Sequence, residues 1–475
     1  MSFKVALVGT SQLSFYGNKE ERFNRCVCEL QKLLETLKAD LYVYPETVIT
    51  AEDGKKALKI IAPEKPDFLL VQCTSFSAGY LAEVFIQSGY PVGWWAIPEN
   101  VEGQVCEFNS FCSINMYQAI NVAYYNEEHY PAKWFFGEVG DPLFKDRLTV
   151  TVRALRAIKR VCHSKVGLIG GIAPGFNDLY FDERKLLRLF PGLEYDRLPE
   201  FDDIASLAES YPESEIAEMA EAFEKAATCV HPSSKKHKML NARLLRAYRE
   251  FIERNHYDAL AVSCWPKFQD KYDYSVCSVV GQLNDDGIPT SCEGDPLSAV
   301  GMLMLQEISG ESATLMDMSG FDLKDESVLM WHCGPSSANF ASDAGYSLGV
   351  NYSGKAHIGG LCCTGCARDM VFAPGKITIG RLNADMDKMF VAAADVMDPA
   401  QKTSFAGSRG WVHHLRLGGE EIGTLDFVNT ILTQGVSHHY PISKGDYQAE
   451  LMEIAAWLKI GIYKKVPYQV WLQMK

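Results

Sequence analysis

Residues 288–305 read Ile-Pro-Thr-Ser-Cys-Glu-Gly-Asp-Pro-Leu-Ser-Ala-Val-Gly-Met-Leu-Met-Leu. A short strand-like run ends at Cys292, a turn carries Glu293 and Gly294, and Asp295-Pro296 opens an apolar helix that runs to about Ile308. Asp is a strong N-cap because its carboxylate accepts an orphan N–H of the first turn. Pro suits the first helical position, where no N–H is needed. Strand, turn, helix is the repeating unit of an α/β sheet, and in such sheets ligands gather where strands end. Glu293 stands at that edge, next to a positive helix terminus that favours an ionised carboxylate. Taken alone, the same position also suits a surface-loop acid.

The pattern continues upstream. Val166–Ile169, ending in Gly170-Gly171, and Leu260–Cys264 read as strands. Ile216, Met219, Ala220 and Phe223 mark one helix between them; Leu244, Leu245, Tyr248, Phe251 and Ile252 mark another. The glycines do not fit G-x-G-x-x-G, so no dinucleotide site is expected. Residues 228–238, with Lys235, Lys236 and Lys238, read as a solvated connector. Nearer the N-terminus, Val5–Val8, Leu41–Tyr44, Phe68–Gln72 and Val92–Ile97 read as buried strands, with a helix at 20–38 on Phe23, Val27, Leu30, Leu34 and Leu37. Downstream of about residue 310 the apolar runs shorten and are broken by Gly, Asn and Pro. Phe372-Ala-Pro-Gly-Lys-Ile-Thr-Ile-Gly-Arg381 reads as a turn followed by a strand. A last helix at about 447–459 takes Asp446 as N-cap and buries Leu451, Ile454, Ala455 and Leu458. The expected fold class is therefore α/β: two Rossmann-like parallel-sheet domains, 1–160 and 161–309, followed by a β-rich, antiparallel, barrel-like domain, 310–475.

Composition agrees with several cores. The chain has 475 residues, 47% hydrophobic and 22% charged, enough for about three domains. A formal net charge of −14 argues against nucleic acid or an anionic membrane as partner. No apolar run approaches a membrane span, and the one at the N-terminus is too short for a signal peptide. The expectation is a cytoplasmic protein whose 14 cysteines are reduced thiols.

Chemistry-bearing residues are scattered. Asp317 lies in the strand-like Thr314-Leu-Met-Asp-Met-Ser, where an acid is costly unless paired, hydrogen-bonded or metal-bound, or else faces water. His332 ends the apolar run Val328-Leu-Met-Trp-His and reads equally as a hydrogen-bonded core histidine. His438-His439 precedes the last helix; neighbouring histidines in a loop can point one inward and one outward, and His413-His414 can do likewise. Two carboxylates with an imidazole form a hard oxygen and nitrogen set suited to Mn²⁺, with Co²⁺ and Mg²⁺ as alternatives. The Cys363-Thr-Gly-Cys366 pair, preceded by Cys362, has no second Cys-x-x-Cys to complete a structural zinc site and reads as buried packing, with a redox role as the minor alternative.

The segment Val262-Ser-Cys-Trp-Pro-Lys-Phe, then Glu293-Gly-Asp, Asp317 and His332-Cys-Gly, resembles the L-fucose isomerase and L-arabinose isomerase superfamily. Gly435-Val-Ser-His-His resembles the C-terminal histidine motif of both families. Gly9-Thr-Ser-Gln-Leu-Ser-Phe-Tyr-Gly resembles the arabinose isomerase loop near the N-terminus. The resemblance implies that Glu293 and Asp317 are metal ligands and the acid/base pair, with His439 as third ligand and His438 or His332 as less certain ones. It also implies a hexamer in which Gln12 and Tyr16 of one subunit reach the active site of a neighbour.

On that resemblance the expected activity is aldose–ketose isomerisation of a free sugar through a metal-stabilised cis-enediol. The sugar would be a pentose, a deoxyhexose or a modified hexose such as sulfoquinovose. Trp265, Trp411, Asn429, Gln12 and Tyr16 are candidate sugar contacts, and Lys267 and Arg409 candidate partners for an anionic substituent. The competing expectations are a non-catalytic sugar-binding protein, which two α/β domains also suit, and a metal-dependent epimerase using the same enediol chemistry.

Overall fold

The computed structural model describes residues 2–125, 131–351, 364–402, 405–470 and 472. The chain forms two compact units, one of Met1–Arg156 with Ala456–Lys459, the other of Ala157–Ala455 with Ile460–Lys475. Among the described residues no helix is long and apolar enough to cross a membrane.

The first unit is built on five parallel strands, β1 (Phe3–Thr10), β2 (Ala39–Val43), β3 (Phe68–Cys73), β4 (Val92–Ala96) and β5 (Ala132–Phe136), in the order β2-β1-β3-β4-β5. All residues of β3 and β4 are buried. Such continuous apolar runs belong to parallel strands covered by helices on both faces. The strand order reverses between β1 and β3. Gln12 follows β1 at that switch point and donates its backbone N–H to Ser75 Oγ at 3.1 Å. Tyr16, in the same loop, is exposed.

The second unit opens with another parallel sheet. Its strands are β6 (Lys165–Ile169), β7 (Glu194–Asp196), β9 (Ala259–Val262) and β10 (Thr290–Ser291), in the order β10-β9-β6-β7. The expected connector at 228–238 is instead structured. Its first part is a short strand, β8 (Cys229–Val230), and Lys238 opens the long helix Lys238–Asn255. Lys235 and Lys236 do face solvent, while Lys238 pairs with Glu224 at 3.4 Å. A two-residue edge strand has too little pattern to be read from sequence.

The remaining strands are β11 (Thr314–Asp322), β12 (Ser327–His332), β13 (Ala341–Asn351), β14 (Thr364–Phe372), β15 (Gly375–Leu382), β16 (Lys388–Val396), β17 (Ser408–Leu417), β18 (Glu420–Glu421), β19 (His439–Lys444) and β20 (Gly461–Ile462). Six of them close a ring, β11-β12-β17-β16-β15-β19 and back to β11, and every pairing in it is antiparallel. Closure removes the sheet edges. β13 and β14 extend from β17, and β8 pairs in parallel with β13.

The helix Pro296–Ser309 joins parallel sheet to barrel. Eleven of its residues are buried, because it packs on β9 at one side and on β15 and β19 at the other. A helix apolar all round is a buried helix. Gly301 permits the close approach: a Cβ there would meet the Gly380 carbonyl and Pro441, each at 3.0 Å. Asp295 caps this helix as expected, its carboxylate accepting the Ser298 N–H at 3.1 Å. The last helix, Gln448–Trp457, starts too late for Asp446 to be its N-cap. Asp446 instead pairs with Arg416 at 3.3 Å. Its buried face is Leu451, Ile454 and Ala455 as read, with Leu458 partly covered.

Candidate active site

Three segments of the parallel sheet and three of the barrel converge. At the carboxyl edge of the sheet, the loop after β6 brings Phe176 and Asp178, the loop after β9 brings Cys264, Trp265 and Gln269, and the turn after β10 brings Glu293. The strand order reverses at β6 and β9, so this is the crevice in which an open α/β sheet binds ligands. From the barrel come Asp317 on β11, Trp331 and His332 at the end of β12, and His438-His439 at the start of β19. A cavity of about 470 Å³ is lined by Pro174, Gly175, Phe176, Cys264, Trp265, Gln269, Cys277, Glu293, Asp317, Trp331, His332 and Cys333.

The Glu293 turn is tightly built. Glu293 has φ +58° and Gly294 φ +69°, both left-handed. The Glu293 carbonyl accepts the Ala173 N–H at 3.0 Å, and the Gly294 N–H donates to the Val262 carbonyl at 3.0 Å. Strain of this kind persists where surrounding structure over-determines it, commonly at functional sites. A Cβ at Gly294 would collide with the Gly171 carbonyl and Ile172 Cα. Gly294→Ala is therefore expected to lower stability by more than the ~1–3 kcal/mol of a single strained residue, read as a fall in the thermal midpoint. A midpoint equal to wild type would show that the turn can open without cost.

Both imidazoles of His438-His439 face Glu293, which corrects the expectation of one inward and one outward. His439 Nε2 lies 3.2 Å and His438 Nε2 3.3 Å from Glu293 Oε2. Each ring is fixed from behind by a carboxylate: His439 Nδ1 by Asp295 at 2.9 Å, His438 Nδ1 by Asp178 at 2.8 Å. A carboxylate behind Nδ1 keeps the proton there and turns the Nε2 lone pair toward the site, as second-shell carboxylates do for metal-bound histidines. Asp295 is itself buried against Arg381 Nη1 at 2.7 Å. Phe176 stacks on the His438 ring at 5.5 Å.

Asp317 completes the cluster. The register sets Asp317 opposite His439 on one side and Trp331 on the other. Its Oδ1 is 3.9 Å from His439 Nε2. His439 thus stands between the two carboxylates, sharing one candidate donor group with Glu293 and His438 and a second with Asp317 and His332. Asp317 Oδ1, His439 Nε2 and His332 Nε2 are buried without a hydrogen-bond partner. Buried polar atoms are rarely left so, and orphaned oxygen and nitrogen donors converging from separate strands fit a hard divalent cation. His332 fits less well as a donor. Its Nδ1 accepts the Cys333 backbone N–H at 2.8 Å, so a neutral ring carries its proton on Nε2, where it cannot bind a metal.

Electrostatics separates the two acids. Burial would raise Glu293, but the facing imidazoles of His438 and His439 outweigh it and hold the carboxyl at about 2. Burial raises Asp317 above its usual value against the pull of His332 and His439. Burial would lower both histidines; Asp295 and Glu293 raise His439, and Glu293 and Asp178 raise His438 to about 9.

Of the other residues singled out in the sequence, Trp265 lines the cavity. Arg409 shares the cross-strand row of Asp317 and Trp331, with its guanidinium on Asp369 and the Gly407 carbonyl. Trp411 lies two positions further along β17, its ring under the Lys402 ammonium at 3.7 Å. Lys267 pairs with Glu200 at 3.3 Å. Asn429 is a tether for the C-terminal segment, donating to the carbonyls of Val466, Pro467 and Val470. Trp411, Lys267, Asn429 and Arg409 are not among the residues that line this cavity. A polar residue on an amphipathic helix cannot be told from a ligand contact by sequence. Gln12 and Tyr16 belong to the first unit. His413 and His414 stack on each other at 3.9 Å, with His414 on Asp395. Cys362 and Cys363 lie outside the described residues; Cys366 is buried, as read.

Sequence reasoning missed Asp178, Trp331, Arg381 and the thiol-rich wall. Arg381 left a signal: an arginine in the apolar strand 375–382 needs a buried carboxylate. Asp178 left only its place in the glycine-rich loop after β6.

Fold and site together define a class of protein: a two-sheet α/β chain with an antiparallel barrel that closes a carboxylate–imidazole cluster over a sheet edge. No family model matches the chain. It is similar to the sulfoquinovose isomerase of Priestia aryabhattai, 26% identical over 440 residues, covering 90% of this chain and 93% of the relative. It is likewise similar to the sulfoquinovose isomerase of Clostridium sp., 24% identical over 436 residues, covering 90% and 92%. A solute-binding protein of Agrobacterium vitis bound with α-D-tagatopyranose overlaps 66% of this chain and 90% of its own at 10% identity, with a TM-score of 0.18, too low to bear on fold or function.

Proposed function

We propose that this chain is an aldose–ketose isomerase of the fucose/arabinose isomerase superfamily, acting on a sulfonated hexose, sulfoquinovose, with a divalent metal, Mn²⁺ before Co²⁺ or Mg²⁺. The observation that carries the reading is His439, held by Asp295 and set between Glu293 and Asp317. Similarity over nine-tenths of the chain to proteins named sulfoquinovose isomerase supports the substrate class.

Glu293, Asp317 and His439 would hold the metal, with His438 as the alternative imidazole. A bound divalent ion supplies Lewis-acid stabilisation of negative charge on the sugar oxygens. The remaining work falls to the chain. Isomerisation moves the C2 proton to C1 and the O2 proton to O1, by way of a cis-enediol. Glu293, ionised, accepts the C2 proton. Asp317, whose burial favours the protonated form, can give a proton to oxygen and take one back. Environments that push two carboxyls apart in this way separate base from acid. Trp265, Trp331 and Phe176 supply aromatic walls, and Gln269 a polar group. Gln12 and Tyr16 would act on the substrate bound by a neighbouring subunit, within a hexamer in the cytoplasm.

The test is direct. Purified protein stripped with EDTA is expected to lose turnover of sulfoquinovose and to regain it on adding Mn²⁺. Undiminished turnover after verified metal removal would defeat the metal assignment. A protein that binds the sugar with no conversion would instead be a sugar-binding protein, and a C2-inverted aldose as product would make it an epimerase.

A further inference from the structure

We propose that Cys264 and Cys292 form an oxidative modification site in the wall of the active-site cavity, which peroxide closes to a disulfide with loss of turnover. Their sulfurs are 2.9 Å apart. The placement is firm: Cys264 follows β9 and Cys292 follows β10, and these strands pair in parallel with Thr290 beside Leu260 and Ser291 beside Ala261. Cys264 lines the cavity, while Cys292 is fully buried behind it. A small oxidant entering the cavity therefore meets Cys264 first. A second pair, Cys277 and Cys333, lines the same cavity with its sulfurs 3.5 Å apart. The Cys264–Cys292 pair is closer and has its resolving thiol already in contact.

The oxidant is hydrogen peroxide. The Cys264 sulfur attacks one peroxide oxygen; the O–O bond breaks, an S–O bond forms, and the other oxygen leaves as water with the thiol proton. The Cys292 sulfur then attacks the sulfenic sulfur; the S–S bond forms, the S–O bond breaks, and a second water leaves with the Cys292 proton. Two thiols and one peroxide become one disulfide and two waters, the sulfurs losing the two electrons that the peroxide gains.

The consequence follows from neighbours in the chain. Cys292 is bonded to Glu293 and Cys264 to Trp265. A disulfide requires about 2.05 Å between sulfurs and a torsion near 90°, so both ends must move. Catalytic groups tolerate only about 0.5 Å of displacement, and a shift near 1 Å can cost about 10²-fold in rate. The loss of turnover rests on the isomerase reading; the cross-link does not.

The test treats the full metal-loaded chain with graded hydrogen peroxide, removes the excess with catalase, alkylates free thiols and maps disulfides by mass spectrometry without reduction. Initial rates on sulfoquinovose are taken before treatment, after it, and after dithiothreitol. The expected result is a Cys264–Cys292 peptide whose yield tracks a fall of about tenfold or more in rate, with recovery on reduction. In Cys292→Ser the Cys264 disulfide is expected to be absent and the thiol-reversible part of the inactivation to vanish. A link at Cys277–Cys333 in its place, inactivation without the Cys264–Cys292 link, or full linkage at unchanged rate would each overturn the proposal. Should the untreated chain not turn over the sugar, the isomerase reading has failed, and Mn²⁺ retention by the cross-linked chain replaces the rate: retention equal to that of the reduced chain overturns the functional half.

Discussion

Glu293→Gln is expected to fold normally and to lose turnover by at least the ~10²–10⁴-fold that a positioned acid or base contributes. The amide is nearly isosteric, so the cavity keeps its shape. It cannot accept a proton, and as a neutral amide it is a poorer ligand than a carboxylate for a hard divalent cation. Asp317→Asn is expected to act alike from the other side of His439. The measurement is the initial rate on sulfoquinovose with saturating Mn²⁺, next to a far-ultraviolet circular dichroism spectrum and a metal count. Native-like spectra with lost turnover support the assignment. Wild-type rates in either variant would remove that carboxylate from the chemistry.

The second large effect concerns stability. Arg381 and Asp295 are both buried, and the Arg381 Nη1 also reaches Ser298 Oγ at 2.5 Å. Removing one partner of a buried ion pair leaves a desolvated charge and costs about 3–5 kcal/mol. That is a large share of the ~5–15 kcal/mol that holds a folded protein together. Arg381→Met is therefore expected to lower the thermal midpoint by many degrees. Because Asp295 also orients His439, the same variant is expected to weaken Mn²⁺ binding by about 10–100-fold, the usual cost of losing an outer-shell partner. An unchanged midpoint and unchanged metal affinity together would mean that Arg381 neither balances Asp295 nor supports the site.

The two effects are separable. On the proposed reading Glu293 would contribute through protonation and metal contact, at the partly covered edge of the buried network. Arg381 contributes from behind, through one carboxylate and one imidazole. A variant at each position thus distinguishes the reacting groups from the framework that aims them.

How far each was legible depends on the range of the interaction. The cap at Asp295, the helix 296–309, the strands around it and the change to β structure past residue 310 depend on local rules: helix capping, proline at the first turn, and apolar periods of 3.6 and 2. These were available in the order of residues alone, as were Glu293 at a strand end and Asp317 inside an apolar run. That Asn429 holds the Val466, Pro467 and Val470 carbonyls and Trp411 lies under Lys402 was not legible, because a side chain on a helix or strand reveals its period but not its partner. Asp446 misses the cap by one residue because the helix starts at its first hydrogen bond, from the Leu451 N–H to the Tyr447 carbonyl, and not at the strongest capping residue nearby.

The sequence by itself determined the succession of elements and the kinds of donor atom available. Only the tertiary structure decided that His439 faces inward with its Nδ1 on Asp295, that His438 takes Asp178 from 260 positions away, and that Arg381 balances the pair from a different strand. The reason is physical. Propensity and capping act within a turn or two of chain, while the charge on a buried carboxylate and the aim of an imidazole are fixed by groups that meet only when the barrel closes over the sheet.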